Sequence, residues 1–302
     1  MRRFGKIFKV IISIVGILVL VNTFQMVKSV YFPEPYTDLE TFSLFEPPLN
    51  IAHRGASGNY PENTLMAFAR AIEKGADTLE LDIWLTEDFH PAVIHDRTVN
   101  RTTDGQGFVS SFTREEIQKL DAGYRFSTPE GDYPFRGMGL KVPMLDEVLE
   151  TFPDIPVMIE IKRPGIASAE IVARVIEEAN AENRVFVGTM NNHTIEHFRR
   201  IMPEVPTAAS LKEIRRFFYS AHVGMAWFMN WDFEGLFVPP QINRFPILTA
   251  PFLAGARAGG YPIFLWTINE PDRMERFLEA GVHGIITDFP GILRNILDQR
   301  FE

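Results

Sequence analysis

From Leu49 onward, short apolar runs of strand type alternate with stretches of helical periodicity, and that alternation restricts the fold more than any other feature. Residues 49–52, 78–83, 92–94, 157–161, 185–188, 207–209, 263–266 and 284–286 read as strands, with a further one near 235–238. Between them lie apolar stripes at helical spacing: Leu65, Phe68, Ala69 and Ile72; Ile171, Val175 and Ile176; Met274, Phe277 and Leu278. This pattern, over the roughly 250 residues such a barrel needs, predicts a parallel sheet closed into a TIM (β/α)8 barrel. An open doubly wound sheet is the alternative, weakened because no Gly-x-Gly-x-x-Gly follows the first strand. Residues 97–142 break the alternation. They are rich in Gly, Thr, Ser and Asp, with one short helix expected near 114–120, and read as a short insertion after the third strand. An insertion there would stand over the rim of a barrel and cap a ligand.

The first 30 residues are of a different kind. Arg2, Arg3, Lys6 and Lys9 precede an apolar tract from Val10 to Val21, a weaker tract runs on to Val27, and Lys28 closes it. The length is near the lower limit for crossing a bilayer. A cleaved signal peptide is the rival, but no Ala-x-Ala site is present, so an uncleaved transmembrane anchor is expected over 1–30. Cations before the tract and Glu34, Asp38 and Glu40 after it place the N-terminus in the cytoplasm and the body outside. Pro33, Pro35, Pro47 and Pro48 predict a stiff linker over 31–48, with the barrel filling 49–302. There is no cysteine, so stability rests on burial without disulfides. Net charge is −9, and every charge before Pro33 is a cation, so the body is strongly acidic. That argues against nucleic acid as a partner.

Chemistry-bearing residues cluster at strand ends. Glu80 and Asp82 are two apart on one strand and so share a face. Glu160 ends the next long strand. Three carboxylates at close quarters repel by about 4 kcal/mol per pair at about 4 Å and an effective dielectric near 20. One divalent cation removes that cost, and an all-oxygen ligand set favours Ca2+ or Mg2+ over zinc. Surface ion pairing is the bland reading, and it suits the apolar flanks of Leu79-Glu80-Leu81-Asp82-Ile83 poorly. His53 and His95 follow two different strands, each beside a charged residue. Cleavage of a phosphodiester needs one proton taken and one given, which two imidazoles supply near neutral pH. Arg54 offers a fork of donors to phosphate oxygens, and Lys162 points the same way as Glu160.

Other candidates have duller readings. Gly55 permits either close backbone approach to a ligand or a simple turn. Pro61-Glu62-Asn63-Thr64 reads as a helix start, with Asn63 or Thr64 as N-cap and the helix end facing an anion. His193 and His197 have metal-type spacing on what reads as a solvated helix face. The aromatic stretch Phe217, Phe218, Tyr219, Trp227, Phe228, Trp231 and Phe233 reads first as core, and second as an apolar wall for a lipid chain or a surface at the bilayer interface.

The segments His53-Arg54-Gly55, Pro61-Glu62-Asn63-Thr64, Glu80-Leu81-Asp82, His95-Asp96, Val142-Pro143-x-Leu145, Glu160-Ile161-Lys162, Trp266-Thr267-Ile268-Asn269 and Gly284-Ile285-Ile286-Thr287-Asp288 run in the order found in the glycerophosphodiester phosphodiesterase family, which the chain resembles from about residue 50 to 290. The resemblance implies a TIM barrel, a metal held by Glu80, Asp82 and Glu160, and His53 and His95 as the acid/base pair. It places Arg54 and Lys162 on the phosphate and Trp266 against the alcohol portion. His283 stands where an acidic residue is common, the insertion is shorter than in large periplasmic members, and residues 205–253 match poorly. The expectation is therefore a membrane-anchored, metal-dependent hydrolase yielding glycerol 3-phosphate and an alcohol. The nucleophile is either water or the substrate's own 2-hydroxyl, which would give a cyclic phosphate first. Hydrolysis of lysophospholipid on the same site and a non-catalytic tethered phosphoester receptor are the alternatives.

Overall fold

The computed structural model describes residues 2–31 and 48–301. In chain order the elements are α1 (Arg2–Tyr31), β1 (Leu49–His53), α2 (Leu65–Glu73), β2 (Thr78–Leu85), β3 (Pro91–Val93), α3 (Arg114–Ile117), α4 (Leu145–Thr151), β4 (Val157–Ile161), α5 (Ile166–Glu178), β5 (Val185–Gly188), α6 (Asn192–Ile201), α7 (Leu211–His222), β6 (Leu236–Val238), β7 (Gln241–Ile242), β8 (Phe245–Pro246), α8 (Ala250–Gly259), β9 (Ile263–Leu265), α9 (Pro271–Glu279), β10 (Gly284–Thr287) and α10 (Pro290–Phe301). The proline-rich linker expected over 31–48 lies, apart from its two ends, outside the described residues.

Seven parallel strands run in the order β5-β4-β2-β1-β10-β9-β6. Residues 207–208 bridge the two edges, pairing Thr207 with Val187 on one side and Ala208 with Gly235 on the other. The expected strand at 207–209 is thus a minimal eighth stave, and the result is a TIM-like barrel. The expected strand at 92–94 is not a stave. It belongs to β3, which turns back antiparallel on β2. Only residues 86–90 separate the two, and Thr86 N–H closes the turn on His90 O at 3.0 Å. Five residues cannot hold the crossover that a parallel pair demands. Residues 97–142 follow this hairpin as turns with a 3-10 turn at Val109–Ser111 and the single short helix α3, which Thr113 and Glu116 cap reciprocally.

Burial explains the layers. Outward-facing strand residues such as Leu79, Leu81, Ile159 and Val187 pack under α2, α4, α5 and α6. A second cluster built on Phe217, Phe252, Ile263 and Met274 fills the space under α7 to α10. Inside the barrel, Leu49, Ile51, Met158, Phe186, Phe237, Phe264 and Ile286 form the floor. Phe237 stacks on Phe264 at 4.5 Å between ring centres and meets Phe186 at 4.8 Å. Such pairs add about 0.5–1.5 kcal/mol each beyond burial. The aromatic stretch divides: Phe217, Phe218 and Phe233 are core, whereas Tyr219 and Phe228 are exposed.

Candidate active site

The two register pairs at the C-terminal ends of the central strands assemble the site. His53 on β1 lies opposite Glu80 on β2, and Asp82 on β2 lies opposite Glu160 on β4. All four face the same end of the barrel, because alternate strand residues share a face. One oxygen from each of Glu80, Asp82 and Glu160 falls within 4.8 Å of the others. They border a cavity of about 360 Å³ whose wall includes His53, Arg54, His95, Lys162 and Trp266. Of the eight residues assigned to the site from the sequence, Asp82 alone is not on the wall; it sits 1% exposed behind it. The Trp266–Thr267 peptide is cis.

Each histidine is backed by a carboxylate. His53 Nδ1 is 2.6 Å from Asp288 Oδ1, and His95 Nδ1 is 2.7 Å from Asp96 Oδ1. An anion at Nδ1 keeps the proton there and leaves Nε2 as the working atom. Burial opposes charge on His53, but the Asp288 hydrogen bond and the nearby Glu80 charge outweigh it and raise its pKa. Asp288 is buried, which alone would raise its pKa, yet donors from His53, Asn269 and Ser57 hold it below the ordinary carboxylate value. Asp96 is likewise penalised by burial and nonetheless held down at about 2 by Arg101 and His95. Arg101 forks between Asp96 (Nε to Oδ2, 2.7 Å) and Glu62 (2.6 and 2.8 Å), tying residues 97–142 to the rim.

Glu80 is pushed up to about 7, first by burial and then by Asp82 beside it. Asp82 is equally buried but shifts down, because Lys162, Arg54 and an Asn63 hydrogen bond overcome desolvation. The Lys162 ammonium stands 3.1 Å from Asp82 Oδ1 and 2.7 Å from Glu160, and Arg54 Nε stands 3.1 Å from Asp82 Oδ2. Neither contact to Asp82 is aligned as a hydrogen bond, so the buried Asp82 Oδ1 is paired with Lys162 by charge. Three converging carboxylate oxygens fit a hard divalent cation.

Backbone strain holds the first loop. Arg54 and Asn63 both adopt left-handed φ (56° and 55°), and Asn63 N–H bonds to Arg54 O at 3.0 Å. Arg54 N–H then donates to Glu80 Oε2 at 2.9 Å. Gly55 serves the turn rather than a ligand: its φ is 84°, and a Cβ there would meet Ala67 backbone at 2.6 Å. Thr64 is the N-cap of α2, with its hydroxyl accepting from Ala67 N–H. The tetrapeptide is more than a cap, since Glu62 also pairs with Arg54 and Asn63 holds Asp82. Sequence reasoning assigned no site role to Asp288, Asn269, Ser57, Glu62 or Arg101, and to Asn63 only that of a candidate N-cap. Their only signal was the recurrence of most of them within the family-type segments. His193 is 92% exposed, as a solvated helix face requires, while His197 pairs with Glu170.

A parallel barrel with two imidazole–carboxylate pairs and a carboxylate cluster around one mouth is the layout of an acid–base barrel enzyme. The profile of the glycerophosphoryl diester phosphodiesterase family matches residues 53–292. A glycerophosphodiester phosphodiesterase of Caldanaerobacter subterraneus subsp. tengcongensis is 40% identical over 257 residues, 82% of this chain and 97% of the relative. Human lysophospholipase D GDPD1 is 26% identical, covering 82% of this chain and 86% of its own length. The crystal structure of a glycerophosphodiester phosphodiesterase from Agrobacterium tumefaciens superposes with a TM-score of 0.65 at 27% identity, covering 81% of this chain and 98% of that one. The chain belongs to the glycerophosphoryl diester phosphodiesterase family. Membership of that family of enzymes sets aside the non-catalytic receptor reading.

Proposed function

We propose that the chain hydrolyses glycerophosphodiesters to glycerol 3-phosphate and an alcohol, with a divalent cation at Glu80, Asp82 and Glu160. The observation that carries this reading is the meeting of two carboxylate-backed imidazoles and a cluster of three carboxylates at one cavity. The bound cation, Ca2+ or Mg2+, would neutralise charge on the phosphoryl oxygens and bring the nucleophile into its ionised form. The protein's own groups do the rest. Arg54 and Lys162 flank the place where a phosphate would sit and stabilise its developing charge. His53, whose pKa is raised, gives a proton from Nε2 to the departing alkoxide, and His95 takes one from the nucleophile. Trp266 lies against the alcohol portion. Helix α1, whose Val10–Tyr31 portion is long and apolar enough to cross a bilayer, anchors the chain with the barrel on the extracytoplasmic side.

The floor of the cavity favours a second substrate class. Met158, Phe186, Phe237 and Ile286 present apolar surface below the charged rim, room for part of an acyl chain. Lysophospholipid hydrolysis on the same site is therefore the runner-up reading, and a human relative is named for that activity. The decisive assay is release of glycerol 3-phosphate from glycerophosphocholine, and of choline from lysophosphatidylcholine, with and without chelator. Loss of turnover in chelator and recovery on adding Ca2+ or Mg2+ is the expected result. Full turnover in chelator would refute the cation reading, and faster cleavage of the lysolipid would move the substrate to the second class.

A further inference from the structure

The last third of α1 is not free. Gln25 is completely buried, and its Nε2 donates to Ala221 O at 3.1 Å and Pro251 O at 3.2 Å. Asn22 Nδ2 donates to His222 O at 3.1 Å. Lys28 Nζ donates to Ala258 O at 2.8 Å and stands 5.1 Å from the centre of the Trp227 ring, which Phe24 meets at 5.6 Å. Asn22 thereby satisfies an orphan carbonyl at the last turn of α7, and Gln25 adds a second donor to Ala221 O, which also accepts from Gly224 N–H. Gly224, just past that turn, comes so close that a Cβ would meet Val21 at 2.7 Å. The polar residues that weaken the apolar tract, at spacing 22, 25, 28, are one face seated on α7, the 3-10 turn Ala226–Phe228 and α8.

The other face of this seated segment is apolar and open. Phe24, Met26, Val27 and Val30 are exposed, Val30 to 63%, as are the residues from Val10 to Leu20. Length makes the consequence definite. Residues 10–20 span only about 17 Å at ~1.5 Å per residue, against a hydrocarbon core of about 30 Å. The whole Val10–Tyr31 stretch of 22 residues reaches about 33 Å. A crossing therefore uses the seated turns as well, and whatever grips those turns is carried to the same depth.

We infer that the face of the barrel around this seat, from α7 through Ala226–Phe228 to α8, rests in the membrane interface, with the lipid bilayer as its partner. The inference rests on the reading of α1 as a membrane anchor. The surface beside the seat suits that partner. Val223, Met225 and Phe228 are exposed apolar side chains there, Phe228 to 56%. Along the outer face of α7, Lys212, Arg215 and Arg216 lead to Tyr219 and then Val223, a gradient from cations to aromatic to aliphatic. Cations facing anionic headgroups with aromatic and aliphatic groups below them is the order an interface imposes. The barrel is thus held against the bilayer in one orientation rather than hanging on a tether.

The cysteine-free chain suits a direct test. Nitroxide labels are placed in the full-length protein at Met225→Cys, Phe228→Cys and, as a distant exposed control, Met138→Cys. Each is reconstituted in vesicles of phosphatidylcholine with a minor share of phosphatidylglycerol. Relaxation by oxygen and by a water-soluble nickel chelate then reports depth. Labels at 225 and 228 are expected to show a severalfold higher oxygen-to-nickel ratio than the label at 138, and Gln25→Ala should erase the difference. Turnover of a water-soluble glycerophosphodiester should be unchanged in all, which checks folding. Vesicle-bound protein whose labels at 225 and 228 are as water-accessible as that at 138 overturns the inference and leaves the anchor standing. Protein that does not remain with vesicles overturns the anchor reading and the inference together.

Discussion

Glu80→Gln should make the cation-free protein more stable while removing its response to the cation. Burial and Asp82 push Glu80 up to about 7, from an ordinary value near 4.5. The carboxyl is protonated in the native state over a window where the unfolded chain has already released the proton. Below pH 4.5 both states hold it and the glutamate behaves like its neutral isostere. Between pH 4.5 and 7 native stability falls as pH rises, because the folded state binds the extra proton. Above pH 7 the full cost of about 3 kcal/mol has accumulated. Glutamine keeps the acceptor for Arg54 N–H but never ionises. In chelator at pH 8 the variant should thus exceed the parent by up to about 3 kcal/mol, roughly 6–12 °C in Tm for a domain this size, with the gap closing near pH 5. With saturating Ca2+ or Mg2+ the order should reverse, since ligand binding stabilises only the parent. Calorimetry across pH, with and without the ion, reads both effects. A variant less stable than the parent at pH 8 in chelator, or one gaining as much from the ion as the parent does, would refute the reasoning.

His53→Ala should lose roughly 100- to 10,000-fold in kcat with an alkyl leaving group and far less with p-nitrophenol, which departs without a proton. Equal losses on both substrates would remove His53 from the leaving-group side. Replacing Asp288 by Asn should lower the His53 pKa; an unmoved His53 titration by NMR would contradict the pairing. In the parent, stability from the charged His53 is full below pH 6.5 and lost as pH rises through the raised value. Arg101→Ala should cost about tenfold in kcat by releasing Asp96 and Glu62, and Arg101→Lys should not restore it, because only a guanidinium forks between two carboxylates. Gly55→Ala, forced into φ near 84° against Ala67, should cost at least about 1–2 kcal/mol of stability, read as a lower urea midpoint at unchanged m.

Much of this was legible in the sequence, for a physical reason. In a barrel strand, outward residues pack under helices and inward residues near the C-terminal end face the mouth, so Leu79-Glu80-Leu81-Asp82-Ile83 announces both its burial and its polar face. That the strand expected at 92–94 turns back antiparallel was legible too, since so short a connection from the strand before it excludes a parallel partner. What could not be read was pairing across long separations. Asp288 lies 235 residues from His53 and meets it only because closure sets β10 beside β1. Arg101 reaches Glu62 across a loop whose path has no periodicity to betray it. The strand expected at 207–209 is present, though it keeps only two bridges. The clasp on α1 was hidden for a related reason, because Asn22, Gln25 and Lys28 look like blemishes in an apolar tract until α7 and α8 supply their carbonyls.

The same charges should couple the binding of a cation to that of the substrate. Asp82 engages Arg54 and Lys162, and these are the cations the cavity would offer to a phosphodiester. They cannot turn fully to a ligand while Asp82 and Glu160 hold them, since leaving a buried carboxylate unpaired costs several kcal/mol. A divalent ion at the carboxylates meets that charge and frees both side chains for the anion. Cation and phosphate ester must then favour each other, and equilibrium linkage makes the favour equal in both directions. Titration calorimetry with glycerol 3-phosphate, in chelator and in saturating Ca2+ or Mg2+, should show at least about tenfold tighter binding with the ion, about 1.4 kcal/mol. The ion should bind more tightly by the same factor when glycerol 3-phosphate is present. Lys162→Met should shrink the coupling, because one of the two shared cations is then gone. Identical affinities with and without the ion would mean that Arg54 and Lys162 stay on Asp82 throughout, and a phosphate would have to be held by other groups.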